Sequence, residues 1–434
     1  MHDELTRRHF MARTAQACFG LTIGGAAADF FAPGAIAAAP APTATGGGQA
    51  KSVIYIFLSG GMSHLDTLDP KPDAPSEIRG PVKALSTNVD GIQLGECFTH
   101  LSKQADKIAF VRSMTSTQGA HGPGRYFMRT GYAERASIVH PSAGSWVAKL
   151  AGRANPTLPP FVTVNTGNGH PGAGFFEPDV APLPIKDAAS GLRDVQRLKT
   201  VSEAEFNRQL ALRKLLDREF DAKFHEGQKN VRAYNQVFEE AVRLMNSKDL
   251  EAFDLGRESQ ATHDLYGTEN FSKGLLLARR LVERGVRYVD VELGGFDWHN
   301  DAFTNMENKI PVVDQALSAL LRDLDETGLL DSTLVVLATE FGRTPKITGT
   351  AGRNHYPKAF SYLLAGGGIR GGQVYGKTDK TGSTVIENKV TGPDLNATIG
   401  HAMGVEFDKV LMSPSRRPFK LAGREGKPVT QLFG

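Results

Sequence analysis

The sequence predicts an α/β protein with a doubly wound, mostly parallel central sheet and helices on both faces. Three observations carry this. Several short runs are continuously apolar, β-branched or aromatic, as strands buried on both faces must be. They alternate with longer stretches of helical periodicity. Several also end on glycine pairs or acidic residues, which is what strand ends lining a crevice require.

With 434 residues and 40 % hydrophobic content, the chain can build one large α/β domain or two smaller ones. Its 47 Gly and 23 Pro imply many loops. Fifty Lys and Arg against 47 Asp and Glu leave a formal charge of +3, with no block of five like charges, which argues against nucleic acid as a partner.

Residues 1–39 read as a twin-arginine export signal. Thr6-Arg-Arg-His-Phe-Met11 carries the paired arginines, Ala15 to Ala28 is weakly polar, and Ala35-Ile-Ala-Ala-Ala39 offers small-residue cleavage sites. The competing reading is a basic amphipathic helix lying on the folded protein. Residues 40–50 read as a flexible linker and 51–434 as a single domain. The twin-arginine machinery moves folded proteins, which suits a chain that acquires a metal inside the cell. Beyond the signal only Cys97 remains, so an intramolecular disulfide is excluded. Thr14-Ala-Gln-Ala-Cys18 lacks the aliphatic residue of a lipoprotein cleavage site. A soluble periplasmic or secreted protein is expected, with no stable membrane span after processing.

Ser52-Val-Ile-Tyr-Ile-Phe-Leu58, ending at Ser59-Gly-Gly61, predicts the first central strand. Ala105 to Arg112 and Phe161 to Asn165 are further strand candidates, and Gly122 to Gly131 opens a helix. From Ser202 to Met245, Leu210, Leu212, Leu215, Leu216, Phe220 and Phe224 recur at helical spacing, which predicts a layer packed on the sheet. A helix over Phe271 to Arg284 leads to a strand over Gly285 to Glu292. A helix over Asn308 to Thr327 leads to the strand Thr333 to Ala338, and Phe360 to Ala365 is the last strand candidate.

The chemistry-bearing residues stand where these strands run out. Val291-Glu-Leu-Gly-Gly-Phe-Asp-Trp-His299 supplies Glu292, Asp297 and His299, and its glycine pair lets the backbone turn sharply. Glu340 follows Thr333-Leu-Val-Val-Leu-Ala-Thr339, and His355 lies in Arg353-Asn-His-Tyr356. Oxygen and nitrogen donors in this mixture suit a hard or borderline divalent ion: zinc, manganese, calcium or magnesium. His64 and Asp66, near the end of the first strand, could reach the same crevice or serve the turn at Asp69-Pro70. Arg343 could pair with Glu340 or present its planar fork to a phosphate or sulfate.

These segments are similar, in order and spacing, to the metal-binding segments of the alkaline phosphatase superfamily. The stretch from Lys51 to Phe407 resembles, more closely, the bacterial domain-of-unknown-function family 1501 within it. The motifs are Gly60-Gly-Met-Ser-His-Leu-Asp-Thr-Leu-Asp-Pro-Lys-Pro72, Glu340-Phe-Gly-Arg-Thr-Pro345 and Ala365-Gly-Gly-Gly-Ile-Arg-Gly-Gly-Gln-Val-Tyr-Gly376. The resemblance implies that Glu292 and Asp297 match acidic metal ligands, that Glu340 stands where an Asp-His pair begins, and that His355 matches the late histidine. Phe341 replaces the second member of the pair, and Ser59-Gly60 stands where a metal-binding Asp is usual. His121-Gly-Pro-Gly-Arg-Tyr-Phe-Met-Arg-Thr-Gly131 resembles the sulfatase signature, with His121 in the nucleophile's place and Arg125 in the arginine's. An imidazole cannot mature to formylglycine, so His121 is left to attack, to bind metal, or to act as general acid or base. Thr115, Ser116 and Thr117 are nearby hydroxyls without distinguishing spacing.

The expectation is a periplasmic metal-dependent hydrolase of a small or polymeric anionic ester, phosphate or sulfate, with Arg343 or Arg125 stabilising developing charge. The alternative is a catalytically silent relative that keeps the fold and serves binding or assembly at the cell envelope.

Overall fold

The structure is a computed structural model that describes residues 48–434 except 168, 193, 194, 196, 199 and 225–237. The expected export signal lies outside these residues, as does most of the linker.

Nine strands form the central sheet: β1 (Ser52–Leu58), β2 (Ile108–Thr115), β3 (Phe161–Val164), β4 (Leu183–Ile185), β5 (Tyr288–Leu293), β6 (Thr333–Ala338), β7 (Phe360–Ala365), β8 (Gln373–Tyr375) and β9 (Val390–Thr391). Their order is β8-β2-β7-β6-β1-β5-β3-β4, with β9 also on β2. Only β7 runs against the others, pairing antiparallel with β2 and β6. All remaining pairings are parallel, so the expected mostly parallel sheet is what the chain forms.

β1 shows why the sheet needs cover on both faces. Ile54, Ile56 and Leu58 enter one apolar core, against α4 (Asn270–Glu283) and α5 (Ala302–Glu326). Val53, Tyr55 and Phe57 enter the other, with residues of α1 (His121–Thr130), α2 (Ala143–Ala151) and α6 (Gly392–Ala402). Every residue of β1 is buried, which is why its sequence is continuously apolar rather than alternating.

The strands run out in register. Leu58 pairs with Leu293, and Phe57 with both Glu292 and Ala338, so the segments after β1, β5 and β6 leave the sheet side by side.

Several expectations need correction. The strand foreseen from Ala105 starts at Ile108, because Leu101–Lys107 turns as a 3-10 helix that leaves Asp106 at the surface. The helix foreseen from Asn308 starts at Ala302 and carries Pro311 inside it. Of the residues expected to pack a helical layer on the sheet, Leu210, Leu212 and Leu215 of α3 (Glu203–Phe224) are not buried, Leu212 and Leu215 being 57 % and 56 % exposed, while the side chains of Leu216, Phe220 and Phe224 lie outside the described residues. Among the described residues of this segment, Leu244 joins the core. The linker also ends early. Ala50 is buried and its N–H donates to Ala402 O (3.0 Å).

Candidate metal centre

Three imidazoles and one carboxylate meet at the carboxyl edge of the sheet. Asp297 and His299 follow β5, His121 opens α1, and His355 lies in a two-residue ribbon in which it pairs with Arg343. Asp297 Oδ1 is 3.0 Å from His299 Nε2, 3.2 Å from His121 Nε2 and 3.2 Å from His355 Nε2. His299 Nε2 and His355 Nε2 are 3.1 Å apart. Donor atoms of His121, Asp297 and His355 all lie within 4.8 Å of one another.

The outer nitrogen of each ring fixes what the inner one can do. His121 Nδ1 faces Glu340 Oε1 (2.7 Å), His355 Nδ1 faces Gly119 O (2.9 Å) and His299 Nδ1 faces Asn354 Oδ1 (2.9 Å). All three partners are acceptors, so each Nδ1 keeps its hydrogen, and a ring without a second hydrogen turns its Nε2 lone pair inward. His121 Nε2 is buried and has no hydrogen-bond partner. Lone pairs this close to one another and to a carboxylate oxygen repel unless a cation is shared among them. Four-coordinate zinc with bonds of about 2.0–2.1 Å separates its ligand atoms by about 3.3 Å, close to the contacts each ring makes with Asp297 Oδ1; His121, Asp297 and His355 form the compact group, and His299 adjoins it beside His355. The donor set therefore fits a divalent ion. Replacing Asn354 with leucine should free the His299 ring and weaken metal affinity by about 10–100-fold, as read by chelator competition.

Backbone and side chains together hold the cluster from behind. Gly60 N–H donates to Glu340 Oε1 (2.9 Å), and the Thr339 hydroxyl donates to Oε2 (3.1 Å). Glu340 is fully buried and has His121 as its ion-pair partner, which draws the His121 pKa upward despite partial burial. Gly60 has φ +119°, and a Cβ there would fall 2.6 Å from Asp297 N, so glycine lets the end of β1 press on the turn that carries Asp297. Where the resemblance implied a metal-binding Asp, Ser59-Gly60-Gly61 supplies backbone groups instead. Phe341, in place of the expected histidine, packs its ring 5.0 Å from that of His121 and 4.6 Å from that of His355, walling the cluster on that side.

Arg343 is positioned otherwise than foreseen. Its guanidinium is 2 % exposed and donates to Gly61 O (2.9 Å), Arg353 O (3.0 Å), Gly60 O and Asp297 Oδ1 (2.5 Å). Its fork is occupied by protein acceptors, so it orients Asp297 and has no donor pair left for a substrate anion. Partial burial opposes the Asp297 charge, but Arg343, His355 and His121 hold its carboxyl well below the usual range. Asp297 and His299 are 44 % and 41 % exposed, which leaves the cluster open to solvent.

The other expected ligands stand apart. Glu292 pairs with Arg129 (2.9 Å), which also clasps Asp290 (2.9 and 3.2 Å). His170 Nε2 donates to Asp290 Oδ2 (3.2 Å), since its Nδ1 accepts from Gly172 N–H. Asp66 is held by Arg353 (2.7 and 2.8 Å), and His64 is fully buried with its Nε2 on Gly382 O (2.8 Å). Both serve the loop after β1. Arg125 lies one turn after His121, a third exposed, 3.8 Å from Glu292. The sequence reading missed Arg129, Asp290, His170 and Asn354. A signal for the first two was available: Asp290 and Glu292, two apart in a buried strand, share one face and together call for a cation.

Residues 50–433 match the family described as protein of unknown function (DUF1501). The chain belongs to this family. No curated protein matches it. Among similar solved structures is the PsFucS1 sulfatase from Pseudoalteromonas sp., with 14 % identity, 82 % of this chain and 68 % of that one covered, and a TM-score of 0.40. Another is the C-terminal periplasmic domain of EcEptC from Escherichia coli in complex with Zn, with 9 % identity, 87 % and 88 % covered, and a TM-score of 0.38. A third is the phosphonate monoester hydrolase SpPMH from Silicibacter pomeroyi, with 12 % identity, 82 % and 74 % covered, and a TM-score of 0.32. Among the described residues, no helix of this family member is long and apolar enough to cross a membrane.

Proposed function

We propose that the protein is an exported, metal-dependent hydrolase of phosphate or sulfate esters, with His121, Asp297, His299 and His355 as the metal-binding set. The carrying observation is the convergence of three inward lone pairs on Asp297 Oδ1, each fixed by an acceptor behind its ring. Three nitrogens and one oxygen favour zinc over magnesium or calcium, which prefer all-oxygen shells. When bound, such an ion polarises an ester oxygen and lowers the pKa of water.

The chain's own residues do the rest. His121 has one nitrogen on Glu340 and the other turned to Asp297, so it is neither free to attack nor free to carry a proton to substrate. Of the three roles open to it from sequence, ligation suits this placement. Arg343 and Glu340 hold the set from behind, Phe341 excludes water from its inner side, and Arg125 offers positive charge at the open side. The twin-arginine signature supports export to the periplasm or beyond.

The test is elemental analysis of protein exported in its native host, followed by assay on aryl phosphates and aryl sulfates with added zinc, manganese, magnesium or calcium. Stoichiometric zinc and turnover are expected. Metal without turnover on a broad ester panel would favour the binding or assembly role, and neither metal nor turnover would refute the site.

A further inference from the structure

The arginines around the metal centre have their charges answered by protein groups. Arg343 and Arg353 are buried on backbone carbonyls and on Asp297 and Asp66, Arg129 is clasped by Asp290 and Glu292, and Arg125 leans on Glu292. Lys309 differs. It belongs to α5, on the face of the sheet opposite α1, and its Nζ lies 5.6 Å from the centroid of the Phe296 ring. A Cβ on Gly295, at φ +91°, would fall 2.5 Å from that nitrogen, so the ammonium rests directly on the turn that leads into Asp297. Lys309 is half-buried, burial pushes its pKa down, and no carboxylate counters that shift. The Phe296 ring is its described partner, and no carboxylate answers its charge. An anionic ligand at this edge would answer it.

The geometry points to Lys309 as a subsite for a second oxyanion group of the substrate, outside the group held at the metal centre. The inference rests on the hydrolase reading above and narrows its substrate class to esters that carry a further negative charge, as repeating anionic polymers do. Among the described residues no hydrogen bond or ion pair ties Lys309 to Asp297 or to the three histidines; its nitrogen lies instead against Gly295 and Phe296, the two residues before Asp297. Arg125 and Lys309, from helices on opposite faces, flank the 292–297 turn with positive charge on either side.

The test uses the full mature chain loaded with zinc and two non-hydrolysable probes, phenylphosphonate and 4-carboxyphenylphosphonate, with affinities measured by calorimetry. The carboxylated probe should bind about fivefold tighter, the order of a partly screened ion pair. Lys309→Met should abolish that preference while leaving zinc content and phenylphosphonate affinity unchanged, and Lys309→Arg should retain it. A preference that survives in Lys309→Met, or is absent from the unaltered protein, overturns the subsite alone. Failure of both probes to bind the zinc-loaded protein overturns the subsite together with the hydrolase reading.

Discussion

Asp297→Asn is expected to fold normally and to lose its divalent ion, with metal affinity down by more than about a hundredfold. The residues that merely orient a ligand usually cost 10–100-fold when removed, and Asp297 is the group on which all three histidines converge. The amide oxygen can still accept from Arg343, which also keeps its carbonyl partners, so the local fold has little reason to change. What disappears is the negative charge that lets three neutral rings share a cation. Elemental analysis beside circular dichroism reads both halves of the expectation. Unchanged metal content in Asp297→Asn would mean that the ion, if any, lies elsewhere.

Arg129→Leu should be the most destabilising single substitution near the site, by about 3–5 kcal/mol at neutral pH, because it strips a buried cation from two buried carboxylates. The effect has a pH signature. Burial opposes the charge on Asp290, yet Arg129, with His170 behind it, holds its pKa at about 2 against the usual 3.8. A depressed folded value stabilises the protein fully above 3.8, and that contribution is lost as pH falls toward 2. Without Arg129 the sign reverses: burial raises the Asp290 pKa, the folded state prefers the neutral acid, and acidification stabilises the variant. Urea unfolding at pH 7 and pH 5 should therefore show a smaller deficit at the lower pH. Equal deficits would mean that the carboxylates find other compensation.

The parts of the fold legible in the sequence were those where burial alone decides. β1, β6 and β7 have the limits their apolar runs imply, because a strand covered on both faces has no polar positions to blur its ends. The start of α5 was not legible, since Pro311 usually marks a first turn and here lies nine residues in. α3 is helical, as its leucine spacing implies, but of those leucines Leu210, Leu212 and Leu215 stay outside the core. In the site, Asp297, His299 and His355 stood at strand ends or in a glycine- and asparagine-rich loop, and His121 was marked by the x-Pro-x-Arg pattern after it. Glu292 read as a ligand for the same reason, but strand alternation turns it toward Arg129. The two acids on one strand face call for a cation, but no local pattern says which residue supplies it. Arg129 is distant in sequence, and an arginine within a helix ordinarily faces water.

The anchoring of Ala50 on Ala402 fixes more than a domain boundary. Residues 48–50 enter at the start of β1, whereas the His/Asp cluster lies past its end, so the two are separated by a seven-residue strand, about 23 Å of extended chain. The chain before residue 48 therefore joins the domain at the end of β1 remote from His121, Asp297, His299 and His355, and cutting the proposed export signal away should leave those four side chains in place.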